Sequence, residues 1–196
     1  FKINIREIVL DIKKNKEVIS WSMYDFANQP FTTLIVTFIF SAFFTESLAE
    51  NNQEGTYLWS LGISITAIFV AIFSPFLGAL ADSGGYRKAF LIFFTYICVC
   101  ATFILYFFEP DQTFHFFGIN LDVSICALFV FVIANIGFEF GTVFCNSYLA
   151  DLSTNKNIGR ISGYAWGLGF VGGLISLALS FLFLDLSVID NIRLIN

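Results

Sequence analysis

Charge is what this 196-residue chain has least of: Asp, Glu, Lys and Arg together make up 13% of it. Whole stretches long enough to cross a bilayer contain none of them. A water-soluble domain of this length needs charged side chains over every exposed face, so that class is excluded. Histidine is scarce too. The single one, His115, sits in an acidic stretch and reads as a solvated loop residue rather than a metal ligand. Cys98, Cys100, Cys126 and Cys145 all fall inside apolar segments, with no CxxC and no zinc spacing, and read as small packing side chains rather than bridges. No nucleophile–base pair, phosphate loop or G-x-S-x-G elbow is present, so an integral membrane enzyme lacks a recognisable catalytic set. No cofactor or metal is implied. The net charge of -5 argues against nucleic acid as a partner.

What the chain has instead is apolar surface: 57% hydrophobic residues, with 27 phenylalanines. Charges divide it into five apolar runs, each long enough to supply the roughly 20 residues that cross a hydrocarbon core of about 30 Å. The spacing predicts membrane helices over about 20–48, 56–81, 89–108, 121–150 and 160–184, together a transmembrane bundle over 20–184. The alternating polarity of a barrel strand is absent. An amphipathic, mixed-charge lead precedes them over 1–19, and 185–196 reads as the start of an outer loop. Residue 1 is Phe rather than Met, and the sequence reads as a fragment of a longer protein.

Basic residues are segregated. Lys2, Arg6, Lys13, Lys14 and Lys16 precede the first run, Arg87 and Lys88 join the second to the third, and Lys156 and Arg160 join the fourth to the fifth. Arg193 alone falls on the other side, where Glu46, Glu50, Glu54, Glu109, Asp111, Asp122, Asp185 and Asp190 collect. The positive-inside rule then places the amino terminus in the cytoplasm of an integral membrane protein, with the plasma (inner) membrane as the expected site.

The most specific motif is "GALADSGGYRK", Gly78 to Lys88, which packs two glycines, an acid and a basic pair into one turn between helices. Read alone, Gly84 and Gly85 make a turn, and Arg87 and Lys88 obey the charge rule. The motif resembles the loop 2–3 signature of the major facilitator superfamily, with Gly78, Leu80, Ala81, Asp82, Gly85 and Arg87 in its positions. Ser83 and Tyr86 stand where basic residues are usual. "WSMYDFANQPF", Trp21 to Phe31, and the Phe144–Gly173 segment with Asp151 and Arg160 resemble the vacuolar-effluxer-like branch of that superfamily. The resemblance implies an all-α membrane fold of twelve helices in two six-helix halves. This chain supplies five helices of the amino-terminal half, so its partners would include the missing carboxy-terminal half. It implies a gating role for Gly78, Asp82, Gly85, Arg87 and Lys88, with Asp82 and its basic neighbours latching the two halves.

Within the spans, Glu139 needs a reason, because a carboxylate in an apolar helix is expensive unless it neutralises, finds a partner or faces water. Asn135 lies one turn earlier and Asn146 two turns later, giving a polar stripe. Two readings stand beside each other, a proton or cation site and an interhelical structural hydrogen bond. Asp25 and Asn28 share a helix face near the start of the first run, and Asp25 suits a substrate ammonium; Pro30 is expected to kink or terminate the first turns. Gly163 and Gly167, and Gly169 and Gly173, with Gly172 beside them, form small-residue faces for helix packing. Trp21, Tyr24, Tyr57 and Trp59 fit an aromatic belt. The function read from these features is secondary active transport of a small polar solute, with amino-acid export as the case the branch implies and protons as the coupling ion. The alternative is a non-transporting assembly or receptor subunit whose polar residues only join helices.

Overall fold

A computed structural model of the chain describes residues 5–110, 112–116 and 119–194, with side chains described over 15–110, 112–114 and 121–183. Lys2, Asp111 and the side chains of Arg6, Lys13, Lys14, His115, Asp185, Asp190 and Arg193 lie outside the described residues. The long helices are α1 (Ile5–Pro30), α2 (Asn52–Gly84), α3 (Arg87–Leu105), α4 (Val123–Ser147) and α5 (Ile158–Leu194). Five helical spans, Asn15–Leu48 for the first, are long and apolar enough to cross a membrane. The chain is an all-α integral membrane protein. Helix is the form that satisfies every backbone amide within its own segment where no water is available.

The first span changes character at Pro30. Proline has no N–H to return to the Phe26 carbonyl, and from Phe31 to Phe38 the chain is π-helical, then again from Phe44 to Leu48, with a single α-turn at Phe40–Phe43 between. Bonds five residues back close these stretches, Ile39 N–H to the Leu34 oxygen at 2.9 Å and Ala49 N–H to the Phe44 oxygen at 3.1 Å. Threonine hydroxyls serve neighbouring carbonyls: Thr32 Oγ1 donates to the Gln29 oxygen at 2.9 Å and Thr37 Oγ1 to the Thr32 oxygen at 2.8 Å. The helix does not end at Pro30; its hydrogen-bond register lengthens instead.

Two helix boundaries and one connection differ from the sequence reading. α1 is helical from Ile5 rather than from about residue 20, and α5 remains helical to Leu194, past the point where a loop was expected. Between α3 and α4, β1 (Thr113–Phe116) and β2 (Ile119–Asp122) pair antiparallel, with Thr113 opposite Asp122. Contacts group the chain into two compact units, residues 1–39 with 149–196, and residues 40–148, where the hydropathy pattern indicates one bundle.

In the second unit, α4 is the central helix: half of its apolar window is buried, against 6% for α2. Lipid is as apolar as leucine, so close backbone approach and ring packing hold such helices together. At Gly137 a Cβ would come within 2.7 Å of Cys98 N and 2.9 Å of the Phe94 oxygen, so α3 and α4 touch backbone to backbone. Phe94, Phe140 and Phe144 fill the space beside that contact, with ring centroids 4.7 Å apart for Phe94–Phe140 and 5.8 Å for Phe94–Phe144. Towards the other end, Trp59 stacks on Phe131 at 3.9 Å and lies against Phe44. Trp59 and Trp21 are 7% and 8% exposed, so both are packed side chains rather than members of an aromatic belt; Tyr57, at 65%, remains free for one.

In the first unit, α1 and α5 pack along their lengths. Gly169, Gly172 and Gly173 of α5 meet Asp25, Phe26, Gln29 and Thr33 of the first span. At Gly172 an added Cβ would overlap the Phe26 oxygen, the carbonyl that Pro30 deprives of its α-helical partner. Proline and glycine thus act together at one point of the seam.

Candidate functional site

The turn between α2 and α3 is built by Gly85, whose φ of 67° is the left-handed conformation that side-chain-bearing residues avoid. Tyr86 N–H then reaches back to the Ala81 oxygen at 3.0 Å, closing a Schellman end. Asp82 sits in the last turn of α2 and Arg87 at the start of α3, and each opposes its own helix dipole. They resolve the conflict together, Arg87 Nε lying 2.6 Å from Asp82 Oδ1. Ser83, standing where the superfamily pattern has arginine, donates to the Leu80 oxygen at 3.2 Å. Lys88 is exposed. Gly78 lies on a surface where a Cβ would meet nothing within 4 Å.

The Leu-Ala-Asp of residues 80–82 recurs at 149–151, where the turn is built differently. α4 ends at Ser147, and Leu149–Leu152 forms a separate helical turn containing Asp151. Thr154 then donates its backbone N–H and its hydroxyl to Asn157 Oδ1 at 2.6 and 2.9 Å, which sets the turn into α5. Arg160 is exposed in the first turn of α5.

On α4, Asn135 is 5% exposed, Glu139 is half-buried and Asn146 is exposed. The three share one helix face, and Thr142, three residues after Glu139 and four before Asn146, completes the row. The sequence reading passed over Thr142, although its offset from Glu139 is the signal that places it. Glu139 has few sources of countercharge in its own unit. The basic residues between 40 and 148 are Arg87 and Lys88, both at the Gly85 end, whereas Glu139 lies eight residues inside α4, about 12 Å from its end. A second polar row lies on α2. Thr56, Ser60 and Ser64 recur every four residues on an exposed face, and each hydroxyl donates to the carbonyl one turn back at 2.7–2.8 Å.

Asp25 and Asn28 lie in the first unit, both half-buried. The Asp25 carbonyl faces Gly169, and Gln29 faces Gly169 and Gly173, so this polar turn sits on the glycine seam of α5. Gly163 and Gly167 do not join that seam: a Cβ at either meets no described atom within 4 Å. The residues on α1 and those on α4 therefore belong to different units.

Residues 56–160 match the protein family described as "Vacuole effluxer Atg22 like". The chain is also 28% identical over 169 residues to YxiO of Bacillus subtilis (strain 168), described as an uncharacterized MFS-type transporter. That alignment covers 84% of this chain and 37% of YxiO, so the chain spans little more than a third of the length of that relative. No solved structure gives a match. The family match takes in more than half of the chain, including the Gly85 turn and the polar row of α4. With five membrane-spanning helices and the Gly78–Lys88 turn in place, the chain belongs to the vacuole effluxer Atg22-like family of major facilitator-type transporters.

Proposed function

We propose that this chain is part of a secondary transporter that moves a small polar solute by alternating access, with Glu139 carrying the coupling proton. The observation that carries the proposal is the row Asn135, Glu139, Thr142 and Asn146 on α4, with no basic residue of its unit at the depth of Glu139. A carboxylate in that setting is held most cheaply by taking up a proton or by facing a water-filled path, and both serve a proton-linked cycle. Asp25 supplies a carboxylate for the ammonium of an amino acid, the solute class that the resemblance to the vacuolar-effluxer-like branch implies, and Asn28 a polar neighbour one turn on. The amino terminus lies in the cytoplasm, the plasma membrane is the site, and the remainder of the same transporter completes the path. The Asp82–Arg87 turn gates the cytoplasmic side. Glu139→Gln tests this in the full-length protein reconstituted in liposomes. The substitution keeps the shape and removes the titrating group, so transport should persist or fall while losing its dependence on a pH gradient. Unchanged pH dependence removes Glu139 from coupling.

A further inference from the structure

The end of the second unit opposite the Gly85 turn holds a cavity of about 450 Å³, which the transport reading leaves unused. It lies where the Phe44–Leu48 stretch, the first turn of α2, the β1 end of the hairpin and the amino terminus of α4 come together. Glu50, Glu54 and Asp122 stand on its wall together with Ser124 and Gln112.

Several of these groups are not used by the fold. Asp122 occupies the N-cap of α4, where an aspartate ordinarily accepts a helix N–H, yet its carboxylate makes no capping bond. Ser124 is 7% exposed, and its hydroxyl has no hydrogen-bond partner among the described residues. Gln112 Oε1 is buried and likewise unpaired. At the start of α2, Asn51 Oδ1 caps the helix by accepting the Glu54 N–H at 3.0 Å. Buried polar groups in native structures are almost always satisfied, so the unpaired Gln112 Oε1, beside the Ser124 hydroxyl on the same cavity wall, points to a missing partner.

The chemistry is one-sided. The carboxylates of Glu50, Glu54 and Asp122 carry negative charge and only accept, while the Gln112 amide oxygen and the Ser124 hydroxyl can accept beside them. A divalent metal is a poor fit, because among the described residues no three carboxylate, thiol or imidazole groups gather as a metal site. We propose that this cavity binds a small organic cation bearing a primary ammonium or guanidinium group. Its cationic group lies among the carboxylates of this wall, Glu50, Glu54 and Asp122, which stand apart rather than closing on one point, and its N–H groups are taken by Ser124 Oγ and Gln112 Oε1. Charge-assisted hydrogen bonds of this kind are both the stronger and the more directional ones.

Agmatine, which carries both cationic groups, is the probe, titrated calorimetrically into the full-length protein in lipid nanodiscs. Tetramethylammonium is the competitor, with the same unit charge as an ammonium and no N–H donor. The expected result is saturable agmatine binding that weakens at least tenfold in the Glu54→Gln, Asp122→Asn double variant and several-fold in Ser124→Ala. Tetramethylammonium should fail to displace it. If the double variant does not fold, Glu50→Gln, at an exposed position, together with Ser124→Ala carries the test. Agmatine binding that is unchanged in all these variants overturns the proposal, as does displacement by tetramethylammonium at agmatine-like concentrations. A preparation inactive in transport that still binds agmatine in this pattern upholds the site independently of the transport reading.

Discussion

Replacing Gly172 with alanine puts one methyl group into the seam between α1 and α5. The added Cβ would overlap the Phe26 oxygen and come within 3.1 Å of both the Phe26 carbonyl carbon and a ring carbon. The principal obstacle is backbone, so no rotamer change removes it and the two helices must separate. Overpacking of this kind costs about 1–3 kcal/mol. Alanine also favours a helix over glycine by about 1 kcal/mol, which partly offsets the clash. Gly163→Ala receives the second effect without the first, because no described heavy atom lies within 4 Å of a Cβ there. The difference between the two variants therefore isolates the clash, at about 1–3 kcal/mol in favour of Gly163→Ala. Thermal unfolding of the full-length protein in detergent, followed by fluorescence-detected size exclusion, reads that difference as a lower midpoint for Gly172→Ala. Equal midpoints, or a lower one for Gly163→Ala, would refute the assignment of the seam.

Other substitutions follow from the same geometry. Gly85→Ala forces a side chain into the left-handed region and should destabilise by about 1–2 kcal/mol, measured as a lower unfolding midpoint, although nothing lies within 4 Å of its Cβ. Gly137→Val should be far more damaging, because Cys98 N and the Phe94 oxygen cannot move aside; normal yield and midpoint for that variant would argue against the α3–α4 contact. For Asp82 and Arg87, a double-mutant cycle with Asp82→Asn and Arg87→Gln should give a coupling below about 1 kcal/mol in physiological salt, since both side chains are substantially exposed. The coupling should grow as salt is lowered. A coupling of several kcal/mol, insensitive to salt, would indicate a buried latch in place of a surface pair.

Much of the architecture is legible in composition, because a bilayer demands uncharged runs of a minimum length and the five spans follow from that alone. The Gly78–Lys88 turn is legible for a local reason: the Asp82–Arg87 pair and the Gly85 cap depend on residues within one turn of each other. What escapes the sequence depends on hydrogen-bond register or on distant partners. The π-helical stretches after Pro30 change which carbonyl each N–H meets, and no residue type announces that. The β1–β2 hairpin lies among loop-like residues between two spans. The glycines of α5 look alike in sequence, yet Gly169, Gly172 and Gly173 meet the first span while Gly163 and Gly167 do not. Trp59 shows the same limit, since an aromatic near a helix end reads as an interface residue until Phe131 is found stacked on it.

Counterflow by the full-length protein in proteoliposomes is the most direct measurement of transport. The lumen is loaded in turn with members of an amino-acid and sugar panel, with and without a pH gradient. Secondary transport predicts accumulation of labelled solute for a limited set of small polar compounds, strengthened by a proton gradient in the wild type and indifferent to it in Glu139→Gln. Absence of counterflow for every compound, from protein that is folded and correctly inserted, would contradict transport and favour a non-transporting membrane subunit.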